Sequence, residues 1–231
     1  CSSDLQGFVS LYIAQRAGMG CSFATVFIAG ALFCEVLLRT GQGMMILFME
    51  ELWSRNLGHL FASPIRFLHY SFGLMALGTL RMAVAIIPAS FLSKYLFNFS
   101  LFDLPGAVAF YIPLFIINGW WLGLSIVSMT LRYGLAAEWL TWMCVWLFVP
   151  IVAPYYPVEV LPRALQYVAH ILPATYVFES IKSNIAGNGL QPDLLLKALG
   201  LNAVYLLAAI KVYILAYKYA RREGRLLNTG E

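Results

Sequence analysis

Residues 50–66 read EELWSRNLGHLFASPIR and form the densest polar island in a very apolar chain. Two glutamates, two arginines and a histidine lie within it, and such groups are costly to place in hydrocarbon. The apolar residues between them recur at helical spacing, as in a helix lying on a membrane surface. Ser63-Pro64 then ends or bends this helix, because proline lacks a backbone donor and disfavours a helical residue before it. The island is therefore predicted to be a loop helix between two membrane spans.

The composition indicates an all-α polytopic membrane protein. Of the 231 residues, 61% are hydrophobic and 11% are charged, whereas soluble domains carry roughly 25% charged residues. The apolar runs are continuous rather than alternating, which argues against a β-barrel. A chain of this length holds about six transmembrane helices. The net charge of +4 reflects membrane topology and implies no nucleic-acid partner.

The predicted spans begin with a truncated one, because residues 5–13 are apolar but only about half as long as a bilayer requires. The chain opens with Cys1 rather than methionine, which suggests that residues 1–5 are translated sequencing adaptor and not native. Gly119 and Gly123 form a GxxxG pattern that permits close helix approach. The later spans are predicted over residues 22–49, 69–92, 104–129, 139–152 and 194–219.

A proline-rich segment, residues 150–189, interrupts this pattern before the last span. Its prolines leave pieces over 163–172 and 174–186 that are too short to cross a bilayer, so we expect outward re-entrant or interfacial helices. Ionic pairs among Glu159, Arg163 and Glu179 are expected at its rim. The prolines are Pro150, Pro154, Pro157, Pro162 and Pro173.

Three charged residues fall within predicted spans. Glu35 and Arg39 are four residues apart and can pair on one helix face, while Arg81 lies near the middle of the next span. Either a structural ion network or a transport pathway explains them. No metal site is predicted, because there is no CxxC pair and the histidines are scattered. The cysteines, Cys1, Cys21, Cys34 and Cys144, are interpreted as packing thiols.

The distribution of cationic residues predicts the orientation. One set of loops, which includes the C-terminus, carries seven arginines and lysines, and the other carries five. The richer side is predicted to be cytoplasmic. We therefore expect a multi-pass protein of the plasma (cell inner) membrane with a cytoplasmic C-terminus. The richer set is Arg55, Arg66, Arg132, Lys218, Arg221, Arg222 and Arg225.

Two stretches resemble the membrane (permease) subunit of an ABC type-2 exporter. The first is the polar island, and the second is YPVEVLP over 156–162 followed by LPATYVFE over 172–179. The resemblance implies one transmembrane domain over residues 1–231, with 50–66 as the coupling helix and 150–189 as the outer gate. The implied coupling residues are Glu50, Glu51, Arg55, Asn56, Leu57, Ser63 and Pro64. The implied gate residues are Tyr155, Tyr156, Pro157, Glu159, Pro162, Pro173 and Glu179.

The same resemblance implies the partners. A second copy or a related permease would complete the pathway within the membrane lipid, and separate cassette ATPases would drive export. No Gly-Lys pair occurs, so the chain has no phosphate-binding loop. ATP and Mg²⁺ are therefore expected on the partner, with no cofactor and no enzymatic activity on this chain.

Two other classes of function stay open. An ion-coupled or passive transporter usually carries broken helices in both of two related halves, whereas here the break is single. A polytopic membrane enzyme needs converging catalytic groups, and none converge in the sequence. The exported substrate is not set by the fold.

Overall fold

The computed structural model describes residues 21–54, 67–134 and 138–222. Within these ranges the chain is helical and contains no strand. Short 3₁₀ turns at Leu101–Asp103 and Val158–Val160, and π-helical turns at Ala107–Tyr111 and Asn184–Asn188, link some of the helices. The α-helices are α1 (Cys21–Trp53), α2 (Phe67–Phe97), α3 (Ile112–Tyr133), α4 (Glu138–Val152), α5 (Arg163–Ile171), α6 (Pro173–Ser183) and α7 (Pro192–Arg222).

Four of the helical segments are long and apolar enough to cross a membrane: Thr25–Trp53, His69–Phe97, Ala107–Tyr133 and Pro192–Arg222. Each has at least 27 residues, against the roughly 20 that a bilayer requires. The all-α prediction is confirmed for the described residues, and the four long apolar helices support a multi-pass membrane protein. The count of six spans stays a prediction, because the truncated first span falls outside the described residues. The helix α4 has 15 residues, a length of about 22 Å at 1.5 Å per residue.

The bundle is organised around α1 and α3. The most apolar stretches of α1 and α3 are 67% and 56% buried, whereas those of α2 and α7 are 28% and 22% buried. The two outer helices therefore present large apolar faces outward, as expected of helices that contact lipid. The helices α1 and α3 run in the same direction, because Gly119 contacts Thr40 and Gly123 contacts Met44. The helix α7 runs in that direction too, because Trp121 contacts Asn202 and Arg132 contacts Tyr219.

Glycine allows the two central helices to approach at backbone distance. A Cβ atom on Gly119 would overlap the Thr40 side chain, and one on Gly123 would lie 2.9 Å from Met44 Sδ. The predicted close approach at the GxxxG pattern is thus present, with α1 as the partner helix. Packing of this kind replaces the hydrophobic effect as the force between helices in lipid.

The C-terminal end of α1 differs from the prediction. Glu50 and Glu51 were expected at the start of a separate loop helix, but they belong to the last turns of α1, which continues to Trp53. The reason is packing, because Leu52 is buried and extends the apolar stripe of Met45, Phe48 and Met49 by one further turn. Residues 55–66, the rest of the predicted coupling helix, lie outside the described residues.

The proline-rich segment forms two short helices, as predicted. The helix α5 has 9 residues and α6 has 11, so neither can cross a bilayer. Pro162 precedes α5 as its N-cap residue, and Pro173 is the first residue of α6, where a missing N–H leaves no hydrogen bond unmade. The prolines thus divide the segment by starting helices as well as by ending them.

Candidate functional site

The proline-rich segment packs against the N-terminal half of α1. The rings of Phe27 and Tyr155 stack with centroids 4.6 Å apart. One turn further along α1, the Pro154 carbonyl lies so close to Gly30 that a Cβ there would be 2.6 Å from its oxygen. Gly30 therefore makes room for the backbone of the segment, and the segment lies at the opposite end of α1 from Glu50.

Tyr156 replaces a hydrogen bond that Pro154 removes. In a continuing helix the N–H of residue 154 would bond the carbonyl of Pro150, but proline has no N–H. The Tyr156 hydroxyl donates to that Pro150 carbonyl instead. The two gate tyrosines predicted from sequence therefore differ in role: Tyr155 packs on α1, while Tyr156 closes the end of α4.

Lys182, on α6, holds the same loop from the other side. Its ammonium donates to the Tyr156 carbonyl at 2.8 Å and to the Ala153 carbonyl at 3.2 Å. Ala153 has a positive φ of 52°, a conformation that L-residues adopt only when surrounding contacts hold it. Burial lowers the pKa of Lys182, and the nearby carboxylates of Glu179 and Glu159 oppose this effect. From the sequence, Lys182 was predicted only as one of the five cations in the less charged set of loops.

Hydrogen bonds, and not the expected ionic rim, organise the rest of the segment. Among the described residues, no ion pair joins Glu159, Arg163 and Glu179. The Gln166 amide instead donates to the carbonyls of Glu159 and Leu161, at 3.1 and 2.7 Å. Glu179 is half-buried, and burial raises its pKa despite the opposing charges of Lys182 and His170.

A second set of hydrogen bonds ties α6 to the start of α3. Asn184 donates to the Pro105 carbonyl at 2.9 Å and to the Tyr111 hydroxyl at 3.2 Å. The hydroxyl of the fully buried Tyr111 lies 3.3 Å from Ser180 Oγ. Beneath it, the rings of Phe115 and Phe178 pack 4.7 Å apart. The segment is thus fixed to both central helices.

The intramembrane charges form two separate pairs. Arg39 Nε lies 2.8 Å from Glu35 Oε2, as the i,i+4 spacing predicted. Arg81 does not join them, because its guanidinium bonds Glu50 at 3.0 Å. The side chains of Arg81 and Glu50 are 44% and 50% exposed, and those of Arg39 and Glu35 are 53% and 26% exposed, so neither pair is buried in the single chain. Glu50, predicted to contact an ATPase, is engaged in joining α1 to α2.

Tryptophans on α3 provide polar contacts between spans. Trp121 Nε1 donates to Asn202 Oδ1 of α7 at 3.1 Å, and Trp120 Nε1 donates to Thr79 Oγ1 of α2 at 3.0 Å. Hydrogen bonds between helices are favourable in lipid, where water cannot replace them. Asn118, also on α3, is fully buried, and neither of its amide atoms has a partner among the described residues.

Some of the sequence predictions concern residues that the structure does not describe. The coupling residues Arg55, Asn56, Leu57, Ser63 and Pro64 lie outside the described residues. Cys34 is buried as a packing thiol. No group of three or more potential metal ligands occurs in the part of the chain that the structure describes. In comparisons of the sequence with known proteins, no protein-family model and no curated protein matches this chain.

Proposed function

We propose that this chain is the membrane-spanning subunit of an ATP-driven exporter of the ABC type-2 kind, coupled to a separate ATPase. The observation that supports this most directly is the arrangement of the two ends of α1. The proline-rich segment packs near Phe27 and Gly30, while residues 55–66 continue from the opposite end. In an exporter, the outer gate and the element that couples to the ATPase must lie on opposite sides of the membrane.

The pathway is proposed to lie between two subunits. Within one chain, Gly41 and Gly119 bring α1 and α3 into backbone contact, which leaves no route between the central helices. A large substrate therefore requires a second copy or a related permease beside the first. The apolar outer faces of α2 and α7 are available either to that subunit or to lipid.

The coupling assignment is tested by replacing Glu51 and Arg55 with alanine, in protein co-expressed with a candidate cassette ATPase from the same organism. Glu50 is left intact because it bonds Arg81. We expect normal membrane insertion and at least about tenfold weaker ATPase association, equivalent to about 1.4 kcal/mol. The readouts are co-purification and the ATP hydrolysis rate of the complex in liposomes.

The matched control is Asp193→Ala, which removes an exposed carboxylate in the first turn of α7, outside the proline-rich segment. Equal association and hydrolysis in the double variant and the control would refute the coupling role of residues 50–66. Transport that needs an ion gradient but no ATPase would favour the ion-coupled alternative instead.

A further inference from the structure

The loop that follows α4, residues 153–157, contains a strained backbone position. Ala153 is fully buried and has a φ of 52°. In this left-handed region the Cβ atom of an L-residue crowds a carbonyl oxygen, so glycine, asparagine or aspartate usually occupies it. An alanine adopts this conformation only where contacts with the rest of the structure outweigh the strain. Ala153 therefore indicates a contact that holds the loop in a conformation it would otherwise leave.

The ammonium of Lys182 supplies that contact. It donates to the Ala153 carbonyl at 3.2 Å and to the Tyr156 carbonyl at 2.8 Å. Because both acceptors belong to the loop, one side chain of α6 fixes the curvature of the loop between residues 153 and 156. Hydrogen bonds from a charged donor are stronger than those between neutral groups. Loss of these two bonds would leave the strain at Ala153 without the contact that opposes it.

The same ammonium has a second group of partners within reach. Glu179 precedes Lys182 by three residues on α6, a spacing at which side chains of one helix meet. The carboxylates of Glu179 and Glu159 both interact electrostatically with Lys182. Among the described residues, however, neither carboxylate forms an ion pair with it in this conformation. Lys182 can therefore leave the loop carbonyls without becoming an unpaired charge in half-buried surroundings.

The apolar residues around the loop form a unit that can separate from the bundle. Ala153, Val158 and Ala169 make up a small buried cluster apart from the main core. This cluster joins the loop to α5, which has only 9 residues. Segments with few buried apolar contacts open locally at a lower free energy than the core of a protein does. The loop and α5 can thus move together while the main bundle stays intact.

We propose that Lys182 acts as a latch with two positions. In the closed position its ammonium binds the carbonyls of Ala153 and Tyr156, and Val158 is buried. In the open position the ammonium pairs with Glu179, Ala153 relaxes to a negative φ, and the loop moves away with α5 and exposes Val158. The ammonium has partners in both positions, so a ligand or subunit that binds one position better shifts the equilibrium. The latch belongs to the segment itself and does not rest on the proposed exporter function.

The test measures opening in the purified full chain, in detergent and without an ATPase. The parent protein is Val158→Cys with the native cysteines replaced, and its rate of maleimide labelling reports the open fraction. Lys182→Met removes the donors at similar side-chain length, so we expect labelling at least about fivefold faster than in the parent. The matched control is Lys218→Met, which changes an exposed lysine near the C-terminal end of α7 and should label like the parent.

Two variants that keep Lys182 distinguish a latch from a lysine that only stabilises the fold. Glu179→Gln removes the carboxylate that receives the ammonium in the open position, so labelling should be about twofold or more slower than in the parent. Ala153→Gly removes the strain of the closed position, because glycine adopts a positive φ freely, and it should slow labelling as well. Both measurements decide the proposal even if Lys182→Met does not fold.

Three outcomes would overturn the proposal. Equal labelling of Lys182→Met and Lys218→Met would show that the ammonium does not hold the loop. Unchanged or faster labelling in Glu179→Gln would show that Glu179 does not receive the ammonium when the loop opens. Unchanged or faster labelling in Ala153→Gly would show that backbone strain does not drive the opening.

Discussion

At the scale of single residues, Glu179 makes stability depend on pH. Burial raises its pKa above the ordinary value of 4.5, so the folded protein keeps this proton to a higher pH than the unfolded chain does. Stability from this group is complete below pH 4.5 and decreases as pH rises through the raised pKa. In Glu179→Gln that decrease should be absent. Thermal unfolding in detergent from pH 4.5 upward measures the difference.

The control for this prediction is Asp193→Asn, which changes an exposed carboxylate in the first turn of α7. It should retain the pH dependence of the wild type. A pH profile of Glu179→Gln that matches the wild type would show that the carboxyl ionises with little effect on folding.

A second residue-scale prediction concerns Asn118, whose buried amide has no partner among the described residues. Replacing an unsatisfied polar group by an apolar one of similar volume is nearly neutral or stabilising. We therefore expect Asn118→Leu to unfold at the same temperature as the wild type or a few degrees higher, as measured in detergent. Asn202→Leu is the contrasting control, because it removes the bond to Trp121. A strongly destabilised Asn118→Leu would indicate that the amide has a partner in the assembled protein.

At the scale of helices, the crossing of α1 and α3 depends on Gly119. Gly119→Ala should destabilise the protein by about 1–3 kcal/mol, because its methyl group would overlap Thr40 in a closely packed interface. Gly200→Ala, on α7, is the matched control, since nothing lies within 4 Å of a Cβ at that position. It should be neutral or slightly stabilising, because alanine has the higher helix propensity. Unfolding by heat or denaturant in detergent compares the two, and equal stabilities would contradict the close crossing.

The helices also show which features the sequence could reveal. The span predicted over 194–219 is observed at Pro192–Arg222, because continuous apolar composition directly determines a membrane helix. The end of α1 was missed because the burial of Leu52 depends on tertiary packing. The roles of Lys182 and Asn202 were not predictable for the same reason. Their partners, Ala153 and Trp121, are 29 and 81 residues away, and no local pattern encodes those contacts.

At the scale of the whole molecule, α1 connects the two ends that the proposed function requires. Gly30 lies under the proline-rich segment, and Glu50 bonds Arg81 near the connection to α2. The twenty residues between them span about 30 Å of continuous helix. Arg81 and Glu50 fix the far end of this helix to α2. A displacement at Gly30 can therefore be transmitted along the packed helix α1 to that end.

Gly30→Ala tests whether the ends are linked. The added methyl group would meet the Pro154 carbonyl, so the segment must shift away from α1. Val158, which is 2% exposed, provides a reporter in Val158→Cys, with the native cysteines replaced. We expect a membrane-impermeant maleimide to label this cysteine several-fold faster in Gly30→Ala than in Gly73→Ala, whose added methyl group meets nothing within 4 Å.

If residues 50–66 couple to an ATPase, the hydrolysis rate of the complex should also change in Gly30→Ala alone. Faster labelling with unchanged hydrolysis would show a segment that moves independently of the far end, and equal labelling in both variants would show that α1 does not hold the segment closed.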